Sequence, residues 1–297
     1  WYEWKDGLNN TGTDVRRGEN RNLTFPKREE ISLELNASLF NELLTFNGSA
    51  FTSRMTGLFV QNNNLYPSYF STGWPISSWI PYVNYDNDVR NGVDFQLNLN
   101  KRTGLVDWTL GVSGIYYETK ASRRSENFEN SYQNRQGMPL DAIWGLESLG
   151  FFSGIDDIEN SPSQAFGEVR PGDIKYKDQN NDGVVNAQDE VYLGRGGWSG
   201  APLTMGFNFS AKYRNFTFFA LGTVRNGAYA MKTNNYFWVN ADDKYSAVVR
   251  DRWTEETQNT ATFPRLTTLN GANNFRNSDF WLYSTNRFDL AKVQVSY

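Results

Sequence analysis

Residues 178–189 read Asp-Gln-Asn-Asn-Asp-Gly-Val-Val-Asn-Ala-Gln-Asp, a pattern suited to holding a hard divalent cation. Asp178, Asn180, Asp182, Val184, Asn186 and Asp189 fall at positions 1, 3, 5, 7, 9 and 12 of a calcium loop, with Gly183 at position 6, where such a loop turns sharply. Calcium takes about 6–8 oxygen ligands. This spacing offers short carboxylates and amides first, then a backbone carbonyl, a water-bridged group and a final carboxylate. The last ligand is Asp where Glu is usual, and its shorter arm makes two-oxygen coordination harder. Val185, at position 8, is placed to anchor the loop on neighbouring structure. Arg170-Pro171-Gly172-Asp173 precedes the loop, and its proline and glycine exclude an entering helix. The expectation is a single extended-strand loop with a structural calcium, or another divalent cation, in place of a paired helical sensor. Without metal, the same residues form a solvated Asx-turn loop.

Little other chemistry is on offer. The 297 residues include no cysteine and no histidine. Thiol chemistry, disulfides, the usual general base and the commonest transition-metal ligand are therefore absent. Asp156-Asp157 and Glu255-Glu256 are adjacent carboxylates, but neighbours on a strand face opposite ways, and nothing sets two of them across a cleft as glycoside hydrolysis requires. No catalytic residue is assigned and the chain is not read as an enzyme. Net charge is −4 with no basic cluster of the kind nucleic acid needs.

The loop must be carried by strands. Residues 31–39 alternate strictly, with Ile31, Leu33, Leu35, Ala37 and Leu39 on one side and Ser32, Glu34, Asn36 and Ser38 on the other. A tight turn at Asn41-Glu42 leads to the alternating run 44–50. Two further hairpins follow, 93–100 with 106–117 and 203–212 with 216–224, and the chain closes with 288–297. In the last run the apolar phase slips between Leu290 and Val293, which predicts a β-bulge. One helix is predicted over 242–256, capped by Asp242, with Tyr245, Val248, Val249 and Trp253 on its apolar face.

Short turns and long connections alternate along the chain. Consecutive strands reverse direction, so the short turns gather at one end and the long loops at the other. No run reaches the roughly 18 apolar residues of a membrane helix, but barrel strands cross lipid by alternating. The expected fold is all-β: an antiparallel transmembrane β-barrel segment with long extracellular loops, its apolar faces on lipid and Glu34, Asn36, Asp94, Gln96, Asn98 and Asn208 on a wet lumen. Trp108, Tyr116, Tyr117, Tyr213, Phe216 and Tyr297 near strand ends suit interfacial girdles. The rival is a soluble extracellular β-rich module with a dockerin-like calcium loop that binds glycan or a partner protein. It explains the strands but not the long connections repeated at one end. Seven strands with unpaired edges do not close in lipid, so the expectation is an internal piece of a longer barrel.

Several segments resemble, in order, those of SusC/RagA-type TonB-dependent transporters. They are Asp88-Val-Arg-Asn-Gly92, Arg135-Gln-Gly-Met-Pro-Leu140, Ile143-Trp-Gly-Leu-Glu147, Gly150-Phe-Phe-Ser153 and Arg170-Pro-Gly-Asp-Ile-Lys-Tyr-Lys-Asp178 with the following loop. Arg252-Trp-Thr254, Phe263-Pro-Arg-Leu266, Ser278-Asp-Phe-Trp-Leu282 and the final strand continue the series. The resemblance implies a roughly 22-stranded barrel with a plugged lumen in the outer membrane of a Gram-negative cell. Residues 1–297 would be part of that barrel's wall, without plug or N-terminal domain, and 118–202 a long extracellular loop carrying the calcium-type loop. It also implies import of glycan or peptide oligomers. Energy would come from the TonB complex through the missing N-terminal region. A SusD-like surface lipoprotein would act as lid, and a homodimer of transporter–lipoprotein pairs is the implied assembly. If the cargo is sugar, Trp74, Trp79, Tyr82 and Trp198 are the aromatics placed to stack on it; their alternative role is loop packing or lipoprotein contact.

Overall fold

Alternating side chains give each strand one apolar and one polar face, and antiparallel pairing keeps the faces in register from strand to strand. In the computed structural model, which describes residues 2–5, 8–11, 18–72, 77–197, 200–239, 245–268 and 271–297, this builds one seven-stranded antiparallel sheet. Its strands are β1 (Lys27–Leu39), β2 (Leu44–Gln61), β3 (Tyr82–Thr103), β4 (Val106–Arg123), β5 (Leu203–Tyr213), β6 (Phe216–Asn226) and β7 (Arg287–Ser296). They lie in chain order across the sheet, with β1 and β7 at the edges. No helix among the described residues is long and apolar enough to cross a membrane.

The register carries a single apolar face through all seven strands. One row runs Leu35, Gly48, Phe95, Gly114, Met205 and Val224; the next runs Ala37, Phe46, Leu97, Val112, Phe207 and Gly222. The intervening residues put Glu34, Ser49, Asp94 and Ile115 in one row of the opposite face, and Asn36, Asn47, Gln96 and Ser113 in the next. Large apolar groups stand out from the first face: Leu33 is 77% exposed, Leu35 61% and Val295 69%. In water such a surface would be costly; in lipid it is the favoured one.

Two local features keep the faces true. The predicted bulge is present: Gly222 pairs with Leu290 and Leu221 with Lys292, so Ala291 is the extra residue. Phe288, Leu290, Val293 and Val295 thereby all stay on the apolar face. The turn between β1 and β2 spans residues 40–43, longer than the predicted two-residue turn, and carries positive φ at Phe40, Asn41 and Glu42.

Three expectations are corrected. β3 begins at Tyr82, well before Val93, β2 runs on to Gln61, and β4 continues past Tyr117 to Arg123. Polar residues on both faces hid the β3 and β4 extensions, and in β2 the bulges around Gly57 and Leu58 break the alternation. Tyr117 is not in an outward girdle. It pairs with Gly92 on the polar face, and its hydroxyl donates to the Gly200 carbonyl at 2.7 Å. The predicted helix over 242–256 is a 3-10 segment, Ala247–Asp251. Arg252 is extended and bridges Phe263, and the Trp253 N–H donates to the Phe263 carbonyl at 2.8 Å, so pairing ends the helical turn. Residues 242–244 of that prediction lie outside the described residues.

Substituting Leu35 or Phe95 by Lys puts a charge on the outward face, at a cost of about 2–4 kcal/mol at mid-membrane. The expected outcome is impaired insertion of the full-length protein, read by its loss from the outer-membrane fraction. Glu34→Lys, facing inward, is expected to insert normally.

Candidate functional site

The long connections β4–β5 and β6–β7 fold together into a cap, which holds the hydrophobic core of the described residues. Leu146, Ile174, Tyr176, Val185, Val239, Val249, Phe263 and Trp281 are buried there, with Phe166, Trp238 and Phe275 packed around them. An aromatic contact ties the two connections, Phe151 meeting Phe280 at 5.5 Å, and within the second connection Phe263 meets Trp281 at 5.8 Å.

The segments that carry the family resemblance between Arg135 and Leu282 assemble against one another in this cap, while Asp88–Gly92 and the final strand lie in the sheet. Arg135–Leu140 runs along the edge of β4 beyond Tyr116: the Ala121 N–H donates to the Met138 carbonyl at 2.9 Å, and the Gly137 N–H donates to the Ala121 carbonyl at 2.7 Å. The strand Ala142–Gly145 pairs with Val191–Arg195, and Ser148–Phe151 pairs with Ile174–Tyr176. Asp279 accepts from the Ser148 N–H at 2.7 Å and donates its own N–H to the Leu146 carbonyl. Gly172 has φ +87, and a Cβ there would lie 2.3 Å from Trp253 Cε3. Both the backbone and the indole therefore require glycine.

Polar side chains complete the cap. Asp173, almost fully buried, takes Arg265 into an ion pair at 2.8 Å and accepts from the Asn274 amide at 2.8 Å. The Gln164 amide donates to Asn273 Oδ1 at 2.6 Å and to the Ile174 carbonyl at 3.0 Å, while its oxygen accepts from the Tyr176 N–H. Asp141 anchors the cap to the wall, accepting from Arg195 at 3.0 Å and from the Gly197 N–H at 2.8 Å; Arg195 also donates to the Tyr117 carbonyl. These buried polar clusters have no periodic signature in the sequence. The cue on offer was the number of large apolar residues inside loops.

The loop 178–189 is hung on this core. Val185 is fully buried, as its position predicted, and Val184–Val185 pairs in parallel with Ser163–Gln164. Asp178 accepts from the N–H groups of Asn181 at 2.7 Å and Gly183 at 2.9 Å, and Asp182 accepts from the Val184 N–H at 2.8 Å. Gly183 has φ +87 and Asn181 φ 59, the left-handed turns the loop needs. The Asn180 amide bonds Asp182 at 2.9 Å. Asp189 is fully buried and clasps the loop ends: its Oδ1 takes the Gln179 N–H and its Oδ2 the Asn186 N–H. Asn186 caps the short 3-10 turn Ala187–Asp189.

The donor set is all oxygen, as a hard cation requires. Each carboxylate oxygen named here accepts one hydrogen bond, and a carboxylate has about four lone-pair sites, so coordinating capacity remains. No group of three or more Asp, Glu, His or Cys side chains is drawn together at metal-binding range among the described residues. The residues thus fit calcium by type and spacing, not as a preformed carboxylate cage.

Of the aromatics assigned to sugar stacking, Trp79 and Tyr82 lie exposed on and just after the β2–β3 connection. Trp74 and Trp198 lie outside the described residues.

Antiparallel strands, apolar on one face and polar on the other, with short turns at one end and long loops at the other, define the wall of a transmembrane β-barrel. No family model matches the sequence. A TonB-dependent receptor P26 from Formosa agariphila is 27% identical over 289 residues, which span 88% of this chain and 26% of the relative. Two solved structures share the fold across 99% of this chain. They are the RagAB peptide transporter, with TM-score 0.69 and 13% identity, and the RagAB peptide importer in its open-open state, with TM-score 0.71 and 14% identity. The chain spans 31% and 30% of their lengths, and about a quarter of the curated relative. These likenesses agree with the motif series: the chain has the fold of a transmembrane β-barrel segment, shares that fold with the RagAB structures, and is similar in sequence to a TonB-dependent receptor.

The cap contains carboxylates tuned by their partners. Hydrogen bonds from the Gln179 amide and Lys177 hold Glu147 below the usual carboxylate range, and Lys175 with the Ser153 N–H does the same for Asp157. Groups lowered in this way stabilise the fold above the ordinary carboxylate pKa of about 4, and that contribution is lost as pH falls through the folded value. Burial raises Glu190, an opposing effect that protonation relieves. Amide-exchange protection across 147–177 is expected to be level from about pH 7 to 5 and to fall below about pH 4, with a weaker fall in Asp157→Asn.

Proposed function

We propose that this chain is wall and extracellular cap of a TonB-energised importer of nutrient oligomers. The observation that carries the reading is the sheet with its co-folded cap: a wall bearing structured loops at one end only suits a gated pore better than a passive anchor. The similar solved proteins are a peptide transporter and importer, which favours peptides as cargo; glycans are the second class. Trp79 and Tyr82, exposed beside the long-loop end, support contact with cargo or with a lid. A SusD-like surface lipoprotein over the cap is the proposed partner. TonB would act through parts of the protein outside this segment, and a dimer of transporter–lipoprotein pairs is the proposed assembly.

Uptake in cells tests this. Deleting the gene is expected to abolish growth on the oligomer while growth on its monomers continues, and collapsing the proton-motive force is expected to stop uptake. Oligomer uptake that survives both treatments would overturn the reading.

Calcium is proposed as a structural ion of the cap. Oxygen ligands supplied by Asp178, Asn180, Asp182, the Val184 carbonyl, Asn186 and Asp189 would offset the entropy of ordering the loop. Chelation is expected to expose 156–197 to protease, with calcium restoring protection and Asp178→Ala/Asp182→Ala insensitive to both. Cleavage unchanged by chelator would count against the ion.

A further inference from the structure

Beyond its last apolar rows, the outward face turns cationic. The register sets Glu29, Arg54, Val89 and Lys120 in one row across β1–β4. The next row toward the long loops holds Lys27 and Thr56 on one side and Asn87 and Arg123 on the other. On the membrane side come Ile31, Thr52, Asn91 and Glu118, and then Leu33, Ala50, Val93 and Tyr116. Rows are about 7 Å apart and neighbouring strands about 4.8 Å. The four cations therefore form one patch, starting about 7 Å beyond the row of Ile31.

Lys27, Arg54, Lys120 and Arg123 are all exposed, and none forms an ion pair among the described residues. Two inward-facing cations at the same height differ, although Arg90, inward on β3, forms no ion pair among the described residues. Arg28 is paired with Glu30, and Arg124 with Asp86 and Asp88. The outward surface is also shaped. Arg54, Thr56, Tyr85, Asn87, Val89 and Arg123 line a depression of about 660 Å³. The Arg123 guanidinium carbon sits over the Tyr85 ring, 3.8 Å from its centroid, a cation–π contact that helps hold the guanidinium at the depression. A second depression of about 540 Å³, sharing Val89, is lined by Lys120, Asn91, Tyr116 and Glu118.

We propose that this outward cluster is a binding site for a phosphate-bearing lipid headgroup of the leaflet on the long-loop side. Guanidinium donors bond phosphate oxygens in pairs, and Lys and Arg stems lie along apolar surface while their charged ends reach the headgroup level. A patch meant only for solubility would not need to sit next to the lipid-facing rows with its charges unpaired. The inference rests on the reading of the apolar face as lipid-facing.

The test uses the full-length protein purified from outer membranes and a fluorescent lipid A, with the same lipid stripped of its phosphates as reference. The variant Arg54→Gln/Lys120→Gln/Arg123→Gln is expected to bind lipid A roughly a hundredfold more weakly and the dephosphorylated lipid equally. Arg90→Gln, which removes an exposed cation from the inward face of β3, is expected to leave lipid A affinity unchanged. Inorganic phosphate is expected not to displace the lipid; displacement at matched concentration would mean a free-anion site and overturn the lipid assignment. Equal binding of the two lipids by wild type, or equal loss in Arg90→Gln, would overturn the inference while leaving the barrel intact. Wild-type protein absent from the membrane fraction would overturn the barrel reading itself.

Discussion

Backbone N–H and C=O groups have no water to bond in the hydrocarbon interior of a bilayer, and the rest of this structure follows from that constraint. Every strand in the sheet is therefore paired to its neighbours over long registers, with side chains sorted by face. Pairing fixes the sorting: a slip of one residue would turn Leu33, Leu35 and Ala37 inward and Glu34 and Asn36 into lipid. The bulge at Ala291 is the visible case in which the phase of the sequence slips and the backbone absorbs the slip. Phe288 and Leu290 on one side of it, and Val293 and Val295 on the other, remain on a common face.

The same constraint moves the hydrophobic core. A wall one sheet thick, with lipid on one side, cannot bury its own side chains. The described residues with fully buried large side chains, such as Tyr176, Phe152, Leu146 and Ile174, lie instead in the cap. The cap can be rigid because two connections distant in sequence share one core, and because Asp173, Arg265, Gln164, Asn273 and Asn274 satisfy one another inside it. The loop 178–189 inherits that rigidity through Val185 and through the carboxylate of Asp189, which clasps its two ends.

The fold was legible where a period of two met a one-sided environment. The strands, their turns, the bulge and the separation of short turns from long loops could all be read from alternation alone. Legibility stopped where burial was not periodic. The upper parts of β3 and β4 are largely polar on both faces, and that of β2 loses its alternation at the bulges around Gly57 and Leu58, so their ends looked like loops. Tyr117 was one residue out of phase with the lipid-facing aromatics, and it turns to the Gly200 carbonyl. The helical pattern Tyr245-Val248-Val249-Trp253 yielded to long-range pairing of Arg252 with Phe263. The calcium-type loop was recognised by spacing. What spacing could not give is that Asp189 faces the loop's own backbone, or that the motif blocks contact one another across the cap.

The sorting of side chains by face can be measured residue by residue, because this chain has no cysteine of its own. Single cysteines would be placed at successive positions from Val93 to Asn98 on β3 in the full-length protein, in membranes, and labelled with a lipid-phase probe and an aqueous probe in turn. The account predicts strict alternation: Val93, Phe95 and Leu97 labelled from the lipid, and Asp94, Gln96 and Asn98 not. Labelling from lipid at consecutive positions, or at none of the six, would contradict a barrel wall.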